Sequence, residues 1–146
     1  MSWHGSEMIH HRGTEGTEDT EEADVVLSRR IIGAAIEVHR TLGPGLLESI
    51  YQACLGRELY LAGLRWEQQV ELPLLYKGER IGAKYRIDLL VEECVVVEVK
   101  SVEALQAVHQ AQLLTYLKLL DLRLGLLVNF NVATLAKGVR RVVNGY

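Results

Sequence analysis

The run Cys94-Val95-Val96-Val97-Glu98-Val99-Lys100 constrains this chain more than any other stretch. Consecutive β-branched residues favour a strand, and a strand apolar on both sides must be covered on both faces. Side chains alternate along a strand, so Glu98 and Lys100 share one face while Val97 and Val99 take the other. A carboxylate in such surroundings is costly unless a cation or hydrogen-bond donors compensate it. The segment that builds the core therefore also carries charge.

The flanking sequence supplies the cover. From Asp24, apolar residues recur at helical spacing (Ile31, Ala34, Ala35, Val38, Leu42), and Gly43-Pro44-Gly45 stops that helix. A second helix follows, with Leu47, Ile50, Tyr51, Cys54, Leu55 and Leu61 on its apolar side, ending at Gly63. Val70, Leu72 and Leu74 alternate as in a strand, and Lys77-Gly78 reads as a hairpin turn into a return strand from Arg80 to Val91. Glu92-Glu93 then turns the chain into the Cys94–Val99 strand. A helix from about Glu103 to Leu120, an apolar strand from Leu124 to Phe130 and a short strand around Val139 to Val143 complete the pattern. Two helices, three strands, a helix and a strand make an α/β domain with a mixed sheet.

The chain has 146 residues, enough for one domain with a substantial core. Residues 1–23 are rich in Gly, Thr, Ser, His and acids without apolar periodicity, and are expected to form a disordered acidic tail ahead of a domain at 24–146. Seven acids up to Asp24 face only Arg12, so the formal net charge of −3 divides into −6 for that segment and +3 for the rest. A mildly basic body is compatible with a polyanionic partner without demanding one. No apolar run approaches the roughly 18–20 residues that cross a bilayer, and no signal-peptide core is present, so no membrane role and a cytoplasmic location are expected. Cys54 and Cys94 lack a C-x-x-C arrangement and read as thiols of a reducing compartment.

Chemistry gathers around the charged strand. Asp88 lies in Tyr85-Arg86-Ile87-Asp88-Leu89-Leu90-Val91, about as far before the Glu92-Glu93 turn as Glu98 lies after it. An antiparallel hairpin would bring the two carboxylates together beside the Lys100 ammonium, a donor set suited to a hard divalent cation. On the following helix, Gln112 and Tyr116 lie one turn apart and share a face. Taken singly, each of these residues is more often a salt-bridged strand edge or an ordinary helix residue; their order is what points to a site. Glu48, in the first turn of its helix, is favoured there by the helix dipole alone. His39 near its helix end reads first as a packed or capping residue, and His109 and Glu58 as structural ones.

This ordered set, D, then E-x-K, then Q-x-x-x-Y, resembles the PD-(D/E)XK nuclease superfamily in its RecB- or Cas4-like branch. Gly45-Leu46-Leu47-Glu48-Ser49-Ile50-Tyr51 resembles the motif of the GxxExxY protein family, as do Gly33-Ala34-Ala35-Ile36-Glu37-Val38-His39 and Gly125-Leu126-Leu127-Val128-Asn129-Phe130. The resemblance covers the chain from about Val26 to Val143. It implies a restriction-endonuclease-like αβββαβ core with an extra N-terminal helix, and a metal-dependent phosphodiesterase site. By the same resemblance Asp88 and Glu98, with the Val99 carbonyl and Glu48, would hold Mg²⁺ or Mn²⁺. Lys100 would orient and help deprotonate the attacking water, and Gln112 and Tyr116 would position the water or the phosphate. Ile87 stands where the superfamily's nominal pattern has proline, and the extra cysteines of cluster-bearing relatives are missing, so no iron–sulfur cofactor is expected.

The function expected on this basis is a metal-dependent nuclease acting on nucleic acid, DNA first, with RNA open. The alternatives are a catalytically silent nucleic-acid- or protein-binding module that keeps the fold, and a structural subunit of a larger assembly. A homo-oligomer or a protein partner stays open.

Overall fold

A computed structural model describes residues 17–81 and 85–145. Helix α1 (Thr17–Leu42) leads into α2 (Glu48–Leu61), then strands β1 (Trp66–Leu72), β2 (Leu75–Tyr76), β3 (Glu79–Arg80), β4 (Tyr85–Val91) and β5 (Val95–Lys100). Helix α3 (Ala107–Leu120), β6 (Leu124–Asn129), a 3-10 turn at Leu135–Gly138 and β7 (Val139–Val143) follow. The main sheet runs β1-β4-β5-β6-β7, with β5 and β6 parallel and the other neighbours antiparallel. This is the mixed α/β architecture of a restriction-endonuclease-like fold with an N-terminal helix.

Both faces of the sheet are covered, as the valine run requires. On one face Val95, Val97 and Val99 pack with Leu126, Val128 and Phe130 under α1 and α2. On the other, Val96 joins Leu90, Leu127 and the α3 residues Leu113, Tyr116 and Leu117. At Gly125 an added Cβ would meet Leu113 at 2.9 Å, so the missing side chain is what lets α3 sit this close to β6. At Gly138 an added Cβ would meet the Asn129 carbonyl oxygen at 2.1 Å, and backbone has little room to retreat. Gly138→Ala is therefore expected to cost about 1–3 kcal/mol, the scale of an overpacked site. Urea denaturation checks this, and an unchanged midpoint would mean that the 3-10 turn shifts freely.

Several boundaries differ from those read in the sequence. Helix α1 begins at Thr17 rather than Asp24, and the Glu21 carboxylate lies 3.5 Å from the Arg123 guanidinium. Acidic residues suit the positive end of a helix, which is why a polar stretch without apolar periodicity can still be helical. The part of the expected tail at residues 1–16 lies outside the described residues. The return strand from Arg80 is divided. Lys77-Gly78, both at positive φ, close a small β2–β3 hairpin, and among the described residues the pairing with β1 runs from Tyr85 to Val91. Helix α3 begins at Ala107, not Glu103, with Gln106 and His109 forming a reciprocal cap. Leu42, Leu47, Ile50 and Leu61 are exposed, Leu47 by 74%, and all four lie within a turn of a helix end.

Candidate active site

The β4–β5 ladder stops one step short of the carboxylates. Leu89 pairs with Val97, Leu90 with Val96 and Val91 with Val95 around the Glu92-Glu93 turn, whose two residues both adopt positive φ. At the next position the strands exchange side-chain bonds instead. The Asp88 N–H donates to Glu98 Oε2 at 2.8 Å, and the Val99 N–H donates to Asp88 Oδ2 at 2.8 Å. Each carboxylate is thus held by the backbone of the opposite strand, which fixes both in one place where the strands open. The alternation of β4 breaks there too. Ile87 packs with Leu90 on the α3 side although Leu89 and Val91 lie on the other.

The neighbouring strand opens at the same level. Gln68 pairs with Leu89 and Val70 with Ile87, but Gln69, opposite Asp88 in that register, leaves the ladder with φ 52°. Its side-chain amide donates to Gln52 Oε1 on α2 at 3.0 Å and helps to lower the Asp88 carboxyl. Nothing in the sequence marks Gln69 beyond its being polar within a strand.

Glu48 arrives from the other side of the chain. It is the first residue of α2, and its Oε2 accepts the Ser101 N–H at 3.1 Å, just past the end of β5. The preceding loop is secured by Tyr51, whose hydroxyl donates to the Gly43 carbonyl at 2.5 Å and accepts the Leu46 N–H at 3.1 Å. The Tyr51 ring stacks on Phe130 with centroids 4.5 Å apart. Gly45 in that loop has φ 98°, a conformation open to glycine and strained for other residues. Gly45, Glu48 and Tyr51 thus act together: the turn, the carboxylate it delivers and the ring that anchors it.

A second residue the sequence did not single out for a role is Asn129. It pairs with Lys100 in the β5–β6 ladder and is almost fully buried. Its Oδ1 accepts from Val102 N at 3.1 Å and its Nδ2 donates to the Val102 carbonyl at 3.0 Å. The buried amide thereby fixes the chain that leaves Lys100. His39 is not part of this cluster; its Nε2 lies 2.7 Å from the Val132 carbonyl oxygen, so that nitrogen carries the proton.

Electrostatics link the pieces. Burial pushes the Glu98 carboxyl up to about 8, the Asp88 charge adds to this, and the Asp88 N–H and Lys100 oppose it. Burial also raises Asp88, against the Val99 N–H, Lys100 and Gln69, while Glu48 pushes it further up. Tyr116 is raised by burial and then by the charge of Glu98, with Gln112 opposing the shift. Asp88 and Glu98 are therefore brought together, with Lys100, Glu48 and Tyr116 within electrostatic reach, while Gln112 lies exposed one turn before Tyr116 on α3.

Among the described residues, no three His, Cys, Asp or Glu side chains form a ready metal cage. The donor set is instead two fixed carboxylates with a third acid within electrostatic reach. That set fits a hard divalent cation, because Mg²⁺ takes few protein ligands and keeps several waters. Excess negative charge buried beside a single ammonium is also what a cation would relieve.

The profile of the PD-(D/E)XK nuclease superfamily matches residues 25–142. The chain belongs to that superfamily. Neither a curated protein nor a solved structure matches it. Membership suggests nuclease activity with a nucleic-acid substrate, and PD-(D/E)XK nucleases generally use divalent metals. In this superfamily member the position before the aspartate is Ile87, fully buried and paired with Val70, so it does its work by packing against α3. No described helix is long and apolar enough to cross a membrane.

Proposed function

We propose that this chain is a metal-dependent nuclease of the GxxExxY type that hydrolyses phosphodiester bonds in DNA in the cytoplasm. The observation that carries the reading is the crossed pair of hydrogen bonds that holds Asp88 and Glu98 together beside Lys100. Asp88, Glu98 and the Val99 carbonyl would hold Mg²⁺ or Mn²⁺, with Glu48 joining directly or through water. Bound there, the cation supplies Lewis-acid stabilisation of charge on the phosphate oxygens. Lys100 orients the attacking water and helps remove its proton, while Gln112 and Tyr116 position the phosphate. Gln69 and Asn129 hold Asp88 and the Lys100 strand end in place.

Calorimetry with Mn²⁺ tests the metal part. Wild type is expected to bind the ion and to melt at a higher temperature when loaded, since a ligand bound only by the folded state stabilises it. Asp88→Ala should weaken binding strongly and abolish that shift. Equal binding by both proteins would move the metal elsewhere. Metal-dependent nicking of a panel of single-stranded, duplex and branched DNA tests the catalytic part. A protein that binds Mn²⁺ and DNA without cutting any of them is a silent module on the nuclease fold.

A further inference from the structure

After Leu72 the described chain forms a two-stranded sheet of its own, and at Tyr85 it is again paired in the main sheet. These two residues form the last β1–β4 pair, so they mark the base of an arm whose described part is the β2–β3 hairpin. Leu75 pairs with Arg80, Tyr76 with Glu79, and the Ile81 N–H donates to the Leu74 carbonyl at 2.9 Å. The apolar side chains of this small hairpin have not gone into a core. Leu75 and Tyr76 are 60% and 62% exposed, and Ile81 is exposed as well. The Lys77 ammonium lies 5.4 Å from the centroid of the Tyr76 ring, over its face. Lys77, Arg80 and Arg86 are all exposed, with Glu79 on the hairpin and Glu71 opposite Arg86 in the β1–β4 register, and among the described residues none of the three cations is within ion-pair distance of a carboxylate.

The base of the arm meets the candidate active site. Tyr85 is exposed, and its ring lies 6.4 Å from that of Tyr116 at an interplanar angle of 51°. Tyr116 in turn feels the charges of Glu98 and Asp88. Exposed aromatic rings and cations thus follow one another along the chain, Tyr76, Lys77 and Arg80 on the hairpin, then Tyr85 and Arg86 at the edge of the site.

We propose that the β2–β3 hairpin is a binding arm for single-stranded DNA. Tyr76 and Tyr85 stack on unpaired bases, and Lys77, Arg80 and Arg86 hold the phosphates beside Asp88 and Glu98. Two physical points favour this occupant. A ring face is available only to a base that is not already stacked inside a duplex, and every base offers such a face whatever the sequence. A polyanion approaching two carboxylates also needs cations to hold it, and the arm offers Lys77 and Arg80 outside any ion pair among the described residues. The proposal deepens the nuclease reading by naming its substrate class, and binding can be measured apart from cutting.

The test is fluorescence anisotropy with a labelled mixed-sequence single-stranded oligonucleotide and its duplex, in EDTA so that cleavage is suppressed. Full-length wild type should bind the single strand more tightly than the duplex. Tyr76→Ala should raise the Kd for the single strand about tenfold or more, whereas Tyr76→Phe, which keeps the ring, should retain most of the affinity. Removing Lys77 or Arg80 should lower the slope of log K against log salt by about 0.7 for each charge. Thermal melting of each variant shows that the fold is kept. An unchanged Kd in Tyr76→Ala, or a duplex bound as tightly as the single strand, overturns the proposal, and so does preference for an RNA strand over DNA of the same sequence. Arm-dependent binding without metal-dependent cleavage would support the arm while refuting catalysis.

Discussion

Replacing Lys100 by alanine is expected to lower metal-dependent DNA cleavage about a hundredfold or more, the scale of a lost general-acid–base or electrostatic contribution. Lys100 is only partly buried and lies at the end of β5, so its truncation leaves no large cavity and the fold should survive. Its charge lowers both Asp88 and Glu98. Without it the two carboxylates stay close and lose their ammonium, so Mn²⁺ affinity should hold or rise while turnover falls. That split separates a catalytic lysine from a structural one, which would change melting temperature and metal binding together. Wild type and variant must be purified in parallel, because a contaminating nuclease would imitate the active result. Equal metal-dependent cleavage by both preparations would place the chemistry elsewhere.

Stability should move in the opposite direction when the acid at the centre is neutralised. Glu98 has an ordinary value of 4.5 and is raised to about 8 in the folded protein, first by burial and then by Asp88. An acid raised on folding binds its proton more tightly folded than unfolded. Its contribution is therefore fully present below about 4.5 and is lost as pH climbs to about 8. Each unit of such a shift corresponds to ~1.4 kcal/mol, so the metal-free protein should lose on the order of a few kcal/mol across that window. Glu98→Gln keeps an oxygen for the Asp88 N–H and removes the charge. At pH 8 it should melt several degrees above wild type, and at pH 4 the two should nearly coincide, since wild-type Glu98 is then neutral when folded. Saturating Mn²⁺ should flatten the wild-type pH dependence, because a cation takes over the compensation that a proton supplies without it. The same variant should lose cleavage. A Glu98→Gln protein no more stable than wild type at pH 8 would mean that the site relaxes or admits water enough to solvate the charge.

The two expectations describe one design. On the proposed reading the site accepts repulsion between its carboxylates so as to take a cation, and the surrounding backbone holds them despite it. The hydrogen bonds from Asp88 N and Val99 N do this at the point where the β4–β5 ladder ends. Gln69 on β1 helps to lower the Asp88 carboxyl, and Asn129 fastens the chain beyond Lys100.

Much of this was written into local sequence. The valine run determined a strand covered on both faces, and alternation alone set Glu98 and Lys100 on the side opposite Val97 and Val99. The Glu92-Glu93 turn, with Asp88 and Glu98 at matched separations, determined that the carboxylates meet, because an antiparallel hairpin leaves one register open. Helical spacing likewise set Tyr116 on the buried face of α3 and Gln112 a turn before it. Only the tertiary structure decided what reaches this pair from afar. Glu48 lies 53 positions from Ser101, and its approach depends on how the Gly43-Pro44-Gly45 loop bends and how Tyr51 stacks on Phe130. Gln69 enters because one residue of β1 turns to positive φ opposite Asp88, a distortion with no signature in residue type. Periodicity records which face a side chain takes within its own element. It carries nothing about which residues at an element's end find cover, which is why Leu47 and Leu61 lie exposed, or about β2 and β3 pairing with each other apart from the main sheet.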